Sequence, residues 1–189
     1  MKITLPDNSS RELPEGSSGY DLAKDIGPGL AKSAIAVTID GVQRDLHDAI
    51  DADASVSIIT IDSDEGIEIM RHTLTAQVLA RAIKNLYPKS KLAIGPTVQD
   101  GFYYDVESNE SISSDDLSKI EEEMKKIIKT KSAITKKLVS KKEALKIFKS
   151  NKEPYKEIII NESDQDDDFQ LYYQDDEEFV DLCRGPHLP

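Results

Sequence analysis

Ala34-Ile35-Ala36-Val37-Thr38-Ile39-Asp40-Gly41 decides how the amino-terminal third is read. Six apolar and β-branched residues in a row make a strand, and Asp-Gly behind them signals a tight turn. Upstream, Tyr20-Asp21-Leu22-Ala23-Lys24-Asp25-Ile26 fits a short helix that stops at Gly27-Pro28-Gly29, a helix end followed by a breaker. Further upstream, Lys2-Ile3-Thr4-Leu5 is a short strand and Pro6-Asp7-Asn8-Ser9 a turn. Arg11-Glu12-Leu13 is then the returning strand of a hairpin. Downstream, Val56-Ser57-Ile58-Ile59-Thr60 closes the unit as another strand.

A strand pair, a helix, then further strands is the order of a β-grasp fold, which places a first domain over residues 1–62. Ile61-Asp62-Ser63-Asp64-Glu65-Gly66 is a polar junction. From Ile67 to Tyr87, Met70, Leu74, Val78, Leu79, Ile83 and Leu86 recur at three- and four-residue steps, so one long helix is expected, ended by Pro88. Lys91 to Pro96 and Gly101 to Val106 are expected strands. Ser114-Asp115-Asp116-Leu117 starts a helix with a capping cluster. A strand over roughly Ser132 to Leu138, a helix from Lys141 to Lys149 capped by Ser140, and strand-like Tyr155 to Ile160 follow. After an acidic loop, Phe169 to Tyr173 is a strand. The second domain is expected to cover residues 63–189 and, like the whole chain, to be α+β.

Bulk properties narrow the function classes. The 189 residues suffice for one mid-sized domain or two small ones. No apolar run reaches the roughly 20 residues of a membrane span. The first residues lack the apolar stretch of a signal peptide. Cys183 is the single cysteine, which excludes an internal disulfide. A cytoplasmic location and no membrane partner are the expectation. The formal net charge of −12 argues against wrapping nucleic acid. Its distribution is uneven: lysines crowd between Lys119 and Lys156, carboxylates between Glu162 and Asp181. A nucleic acid would touch the first region and be repelled by the second.

Six strings together resemble threonyl-tRNA synthetases of bacterial type, in that family's order and spacing. They are Ile3-Thr4-Leu5-Pro6-Asp7, Asp25-Ile26-Gly27-Pro28-Gly29-Leu30-Ala31-Lys32, Glu65-Gly66-Ile67-Glu68-Ile69-Met70-Arg71-His72, Ala93-Ile94-Gly95-Pro96, Gly101-Phe102-Tyr103-Tyr104-Asp105 and Val180-Asp181-Leu182-Cys183-Arg184-Gly185-Pro186-His187. The resemblance implies an N-terminal ubiquitin-like TGS domain over 1–62 and an editing domain over 63–189 that is C-terminally incomplete. No stretch resembles the family's class II aminoacylation core. No cofactor is therefore expected here, since zinc and ATP would belong to that core. The implied partner is the acceptor end of threonine tRNA. Homodimerisation is implied only for the full-length enzyme.

The implied activity is hydrolysis of serine wrongly attached to threonine tRNA. A pocket gains only about 1–3 kcal/mol from the methyl group that separates the two amino acids, so a second, hydrolytic site is needed. Ester hydrolysis requires a positioned water, a base or polariser, and donors for the oxyanion. In the family, a His-x-x-x-His helix and a Cys-x-x-x-His segment supply them. By that resemblance His72, Lys156, Asp181, Cys183 and His187 are candidate catalytic residues, and Gln77 and Tyr104 candidate substrate-binding ones. Such a His and Cys set also suits zinc, and related alanyl-tRNA editing domains use it so. The threonyl resemblance implies no metal. A non-catalytic fragment that binds tRNA or a partner, and a truncated gene product, are the alternative readings.

One departure stands out. The helix reads Arg71-His72-Thr73-Leu74-Thr75-Ala76-Gln77, so Ala76 occupies the second-histidine position counted from His72 and Gln77 the same position counted back from Ala82-Ile83-Lys84. The stretch is one residue longer than the family's. In an α-helix one extra residue rotates everything before it by about 100°. Unless the helix begins late or bulges, one histidine is lost and His72 is misaimed. Glutamine orients a water but takes no proton near neutral pH.

Overall fold

In the computed structural model, which describes residues 1–175 and 178–189, the Asp40-Gly41 turn forms with both residues at positive φ, +48° and +82°. That conformation matches the twist of two antiparallel strands. It joins β3 (Ala34–Ile39) to β4 (Val42–Asp45). The chain divides into two compact units, Met1–Met70 with Gly185–Pro189, and Arg71–Arg184.

The first unit is a five-stranded sheet with one helix in its grip. β1 (Lys2–Thr4) pairs antiparallel with β2 (Ser10–Glu12) and parallel with β5 (Ala54–Thr60), giving the order β2-β1-β5-β3-β4. The helix α1 (Gly19–Ile26) starts at a capping box in which Ser18 and Asp21 satisfy each other's backbone N–H groups. Leu22 on α1 is buried with Ile3, Val37, Ile39, Ile50 and Val56. The helix lies so close to β3 that a Cβ at Gly19 would stand 2.8 Å from the Val37 Cβ. Gly27 ends α1 as expected, but Pro28 at once opens a second short helix, α2 (Pro28–Ser33). Proline suits a first helical turn, where its missing N–H would have no partner anyway. A second cluster joins Ile35, Ala36 and Ile59 to Ile69 and to Leu188 of the tail segment. The expected β-grasp arrangement of this unit is present.

Ser63 starts the next helix, accepting the Gly66 N–H at 3.0 Å. This helix, α3 (Asp64–Thr73), begins earlier than the apolar periodicity indicated, and the boundary between the units falls inside it. It does not continue as a plain α-helix. Leu74–Leu79 is a π-helical turn, after which α4 (Ala80–Leu86) resumes.

The rest of the second unit is helices around a small antiparallel sheet. The two strands expected near residue 100 are broken into two-residue ladders: β6 (Lys91–Leu92) with β9 (Val106–Glu107), and β7 (Thr97–Val98) with β8 (Gly101–Phe102). A capped 3-10 turn, Ser114–Asp116, leads into α5 (Leu117–Thr130). β10 (Thr135–Val139), β11 (Phe169–Gln174) and β12 (Phe179–Leu182) form the sheet in that order. α6 (Lys141–Ser150) lies between β10 and β11 in sequence, capped by Ser140. Val139, Ala144, Phe148, Ile160, Phe169, Leu171 and Tyr173 make the core there.

Tyr155–Ile160, expected as a strand, is helical: α7 runs from Pro154 to Glu162. Three consecutive isoleucines favour a strand by propensity. Pro154 at the first helical position and burial at a four-residue step, Lys156 and Ile160, override it. No helix among the described residues is long and apolar enough to cross a membrane.

Candidate functional site

A cavity of about 620 Å³ opens in the second unit, and His72, Tyr104, Lys156, Asp181 and Cys183 all line it. They come from four elements far apart in sequence. α3 carries His72, the segment between β8 and β9 carries Tyr104, α7 carries Lys156, and β12 carries Asp181 with Cys183 directly after it. Cavities of this size suit a small-molecule-sized ligand.

Two constellations face it. In the first, His72 Nε2 lies 2.9 Å from Cys183 Sγ. In the second, Lys156 Nζ stands 2.7 Å from Asp181 Oδ1, with both side chains at least 96 % shielded from solvent. Lys156 also donates to the Tyr104 hydroxyl at 3.2 Å, and that hydroxyl donates to Asp181 Oδ2 at 3.0 Å. Burial first, and then the Asp181 carboxylate beside it, push the Tyr104 hydroxyl well above its ordinary pKa. It therefore stays protonated and keeps donating. The Leu182 backbone N–H donates to Asp181 Oδ1 at 2.8 Å, which fixes the carboxylate further. An ammonium has three donors, and the two partners named here take two.

Lys156 is well placed because Glu153, the residue capping α7, is anchored twice. Its carboxylate accepts the Leu92 N–H at 2.9 Å and Lys84 Nζ at 2.6 Å. Lys156 and Asp181 also border a second cavity of about 390 Å³, lined with Arg81, Lys84 and Glu153 among others.

The π-helical turn decides which helix residues reach the first cavity. The Ala80 N–H donates to the Thr75 carbonyl, five residues back, so this turn holds one residue more than an α-helical turn. His72 and Ala76, four apart, both line the cavity. Gln77 does not. It is fully buried, and Gln174 Nε2 donates to its side-chain Oε1 and to its backbone carbonyl, each at 2.8 Å. The substrate-contacting role expected for Gln77 thus has no counterpart in the lining. In the π-turn Ala76 takes the cavity-facing position, and Gln77 turns into the protein.

Gly95 was not singled out from the sequence, yet it shapes the cavity. A Cβ there would stand 2.3 Å from a Tyr104 ring carbon and 2.5 Å from Thr75 Cγ2. The signal lay in Ile94-Gly95-Pro96, a glycine whose closeness to the Tyr104 and Thr75 side chains no local pattern reveals. His187 is 2 % exposed and lies in the tail segment of the first unit, where its backbone N–H donates to Asp45 Oδ1 at 2.9 Å. His47 is exposed and rests against the Tyr20 ring at 5.4 Å.

Residues 1–60 match the family model of the TGS domain, which is found in threonyl-tRNA synthetases and in other proteins, GTPases among them. The match coincides with the five-stranded sheet and its helices.

Proposed function

We propose that the second unit hydrolyses the ester of seryl-tRNA charged on threonine tRNA, as an editing domain of threonyl-tRNA synthetase type, with the TGS domain contributing to tRNA binding. The carrying observation is the meeting of His72 and Cys183 beside the buried Lys156–Asp181–Tyr104 group on one ligand-sized cavity. Residues from four separate elements would not converge there by helix or strand periodicity alone.

In this reading His72 accepts a proton from water as the water oxygen attacks the seryl carbonyl carbon. Lys156 offers its remaining N–H to the developing oxyanion. The bond to the ribose oxygen then breaks, the proton returns from His72 to that oxygen, and serine and uncharged tRNA leave. Cys183 orients the imidazole, and Asp181 with Tyr104 holds the ammonium. The helix supplies one imidazole to the cavity, because Ala76 stands four residues after His72.

Purified protein given seryl-tRNA of the threonine acceptor is expected to release serine, and Cys183→Ala to abolish the release. If folded protein releases none above buffer, hydrolysis is refuted and binding without catalysis takes its place. Retention of that tRNA on filters, weakening steeply with salt, marks the binding reading.

A further inference from the structure

The π-turn that follows His72 is contacted from outside its helix. Gln174, 4 % exposed on β11, reaches the π-turn and the helix after it with the two halves of its amide. Nε2 bridges the side chain and the backbone carbonyl of Gln77, each at 2.8 Å. Oε1 accepts from Arg81 Nη1 at 3.2 Å, one turn further along. Arg81 is held in turn by Asp175, Nη2 to Oδ2 at 2.5 Å. The bonds thus run from Gln77 inside the π-turn to Arg81 in the first turn of α4, and tie both to the end of β11 and the residue after it.

A π-turn is an uncommon, single-turn feature that packing must hold in place. Here Thr75 satisfies one carbonyl internally, its hydroxyl donating to the Arg71 carbonyl at 2.9 Å. Gln174 donates to the Gln77 carbonyl as well. Gln77 itself gains little, since its Nε2 is buried with no hydrogen-bond partner among the described residues. Its place is imposed by the turn. Without the clamp the helix has two ways to relax: slide the bulge, or regularise to α. Either rotates the segment bearing His72 by about 100° per residue of slip, away from Cys183.

We infer that Gln174 is a positioning residue: it locks the π-turn in register so that the His72 imidazole faces Cys183 and the cavity. This rests on the reading of that pair as the reactive centre. The glutamine at position 77 and the extra residue before it then belong together with Gln174 and Arg81 as one device.

The test uses the whole chain and two readouts independent of tRNA. Hydrogen exchange reports the Ala80 amide, whose bond to Thr75 defines the turn. Alkylation by iodoacetamide at neutral pH, followed by mass spectrometry, reports Cys183 alone, because it is the single cysteine. An imidazole beside a thiol raises its reactivity, so His72→Ala is expected to slow alkylation about tenfold. Gln174→Met is expected to slow it by a similar factor and to speed Ala80 exchange at least about tenfold, with a cooperative melt retained.

Unchanged exchange and alkylation in Gln174→Met overturn the clamp and leave the reactive pair standing. Faster exchange with unchanged alkylation also overturns it, because the turn would then not aim His72. No effect of His72→Ala on alkylation overturns both readings. If Gln174→Met does not fold, Gln174→Glu keeps the acceptor for Arg81 while removing the donors to Gln77, and the same outcomes apply. If that variant also fails, the unmodified chain decides. An Ala80 amide exchanging as fast as the helix ends refutes the clamp, and one as slow as the core supports it.

Discussion

Asp181→Ala isolates the energetics of the cavity's charged group. The carboxylate sits 2.7 Å from Lys156 Nζ, and the two side chains are only 3 % and 4 % exposed. Truncation leaves an ammonium without its counter-charge in a place water barely reaches. Removing one partner of such a pair costs about 3–5 kcal/mol. The Tyr104 hydroxyl also loses its acceptor, adding roughly 1 kcal/mol. A total near 4 kcal/mol lowers Tm by roughly 8–16 °C at about 2–4 °C per kcal/mol for a chain of this size. Lys125–Glu121 on α5 is the internal control. Its separation is equally short, 2.6 Å, but its side chains are 62 % and 66 % exposed. Glu121→Ala should therefore cost far less, because solvent screens the exposed pair. The double replacement Lys156→Met with Asp181→Leu should regain most of the loss, because no charge is left stranded. Urea melts of the three variants and the parent measure this. If Asp181→Ala costs no more than Glu121→Ala, or if the double replacement is as damaged as the single one, the assignment of a desolvated ion pair is wrong.

Gly95→Ala puts a methyl group inside contact distance of Tyr104 and Thr75, so a loss of about 1–3 kcal/mol is expected in denaturant melts, together with slower serine release. A silent Gly95→Ala would contradict the close approach. Ser18→Ala removes the cap of α1 and should cost about 1 kcal/mol near neutral pH. Hydrogen bonds from the Ser18 backbone N–H, and then from its hydroxyl, hold the Asp21 carboxyl below its ordinary 3.8. A carboxyl depressed in the folded state stabilises above its unfolded pKa and ceases to do so as pH falls through the folded value. The gap between Ser18→Ala and the parent should therefore be constant above about pH 5 and shrink below 3.8. A gap that widens on acidification would reverse the sign and defeat the argument.

Much of the first unit was legible because its signals are local. Asp40-Gly41 can hardly form anything but a tight turn, Gly27 ends a helix, and Ile3, Leu22 and Val37 sit in the core within the strands and helix read for them. The π-turn was legible only as a conflict. Set against the pattern of the family it resembles, the helix is one residue long, so it was expected either to bulge or to turn His72 away. Nothing local says which, because the deciding bonds come from Gln174 and Arg81. Tyr155–Ile160 misled because propensity is weaker than burial. Its helix is chosen by Lys156 meeting Asp181 and Ile160 meeting the core, contacts that sequence periodicity in six residues does not specify.

The amino-acid order alone thus settled the β-grasp unit and the capped helices, since turns, caps and apolar periods act within a few residues of themselves, while the candidate site residues came from the family resemblance. Tertiary structure alone decided that His72 and Ala76 face the cavity while Gln77 faces inward. It alone made Lys156 and Asp181 a dry ion pair and required glycine at 95. The aim of a side chain and the dielectric around it are set by neighbours that are distant along the chain.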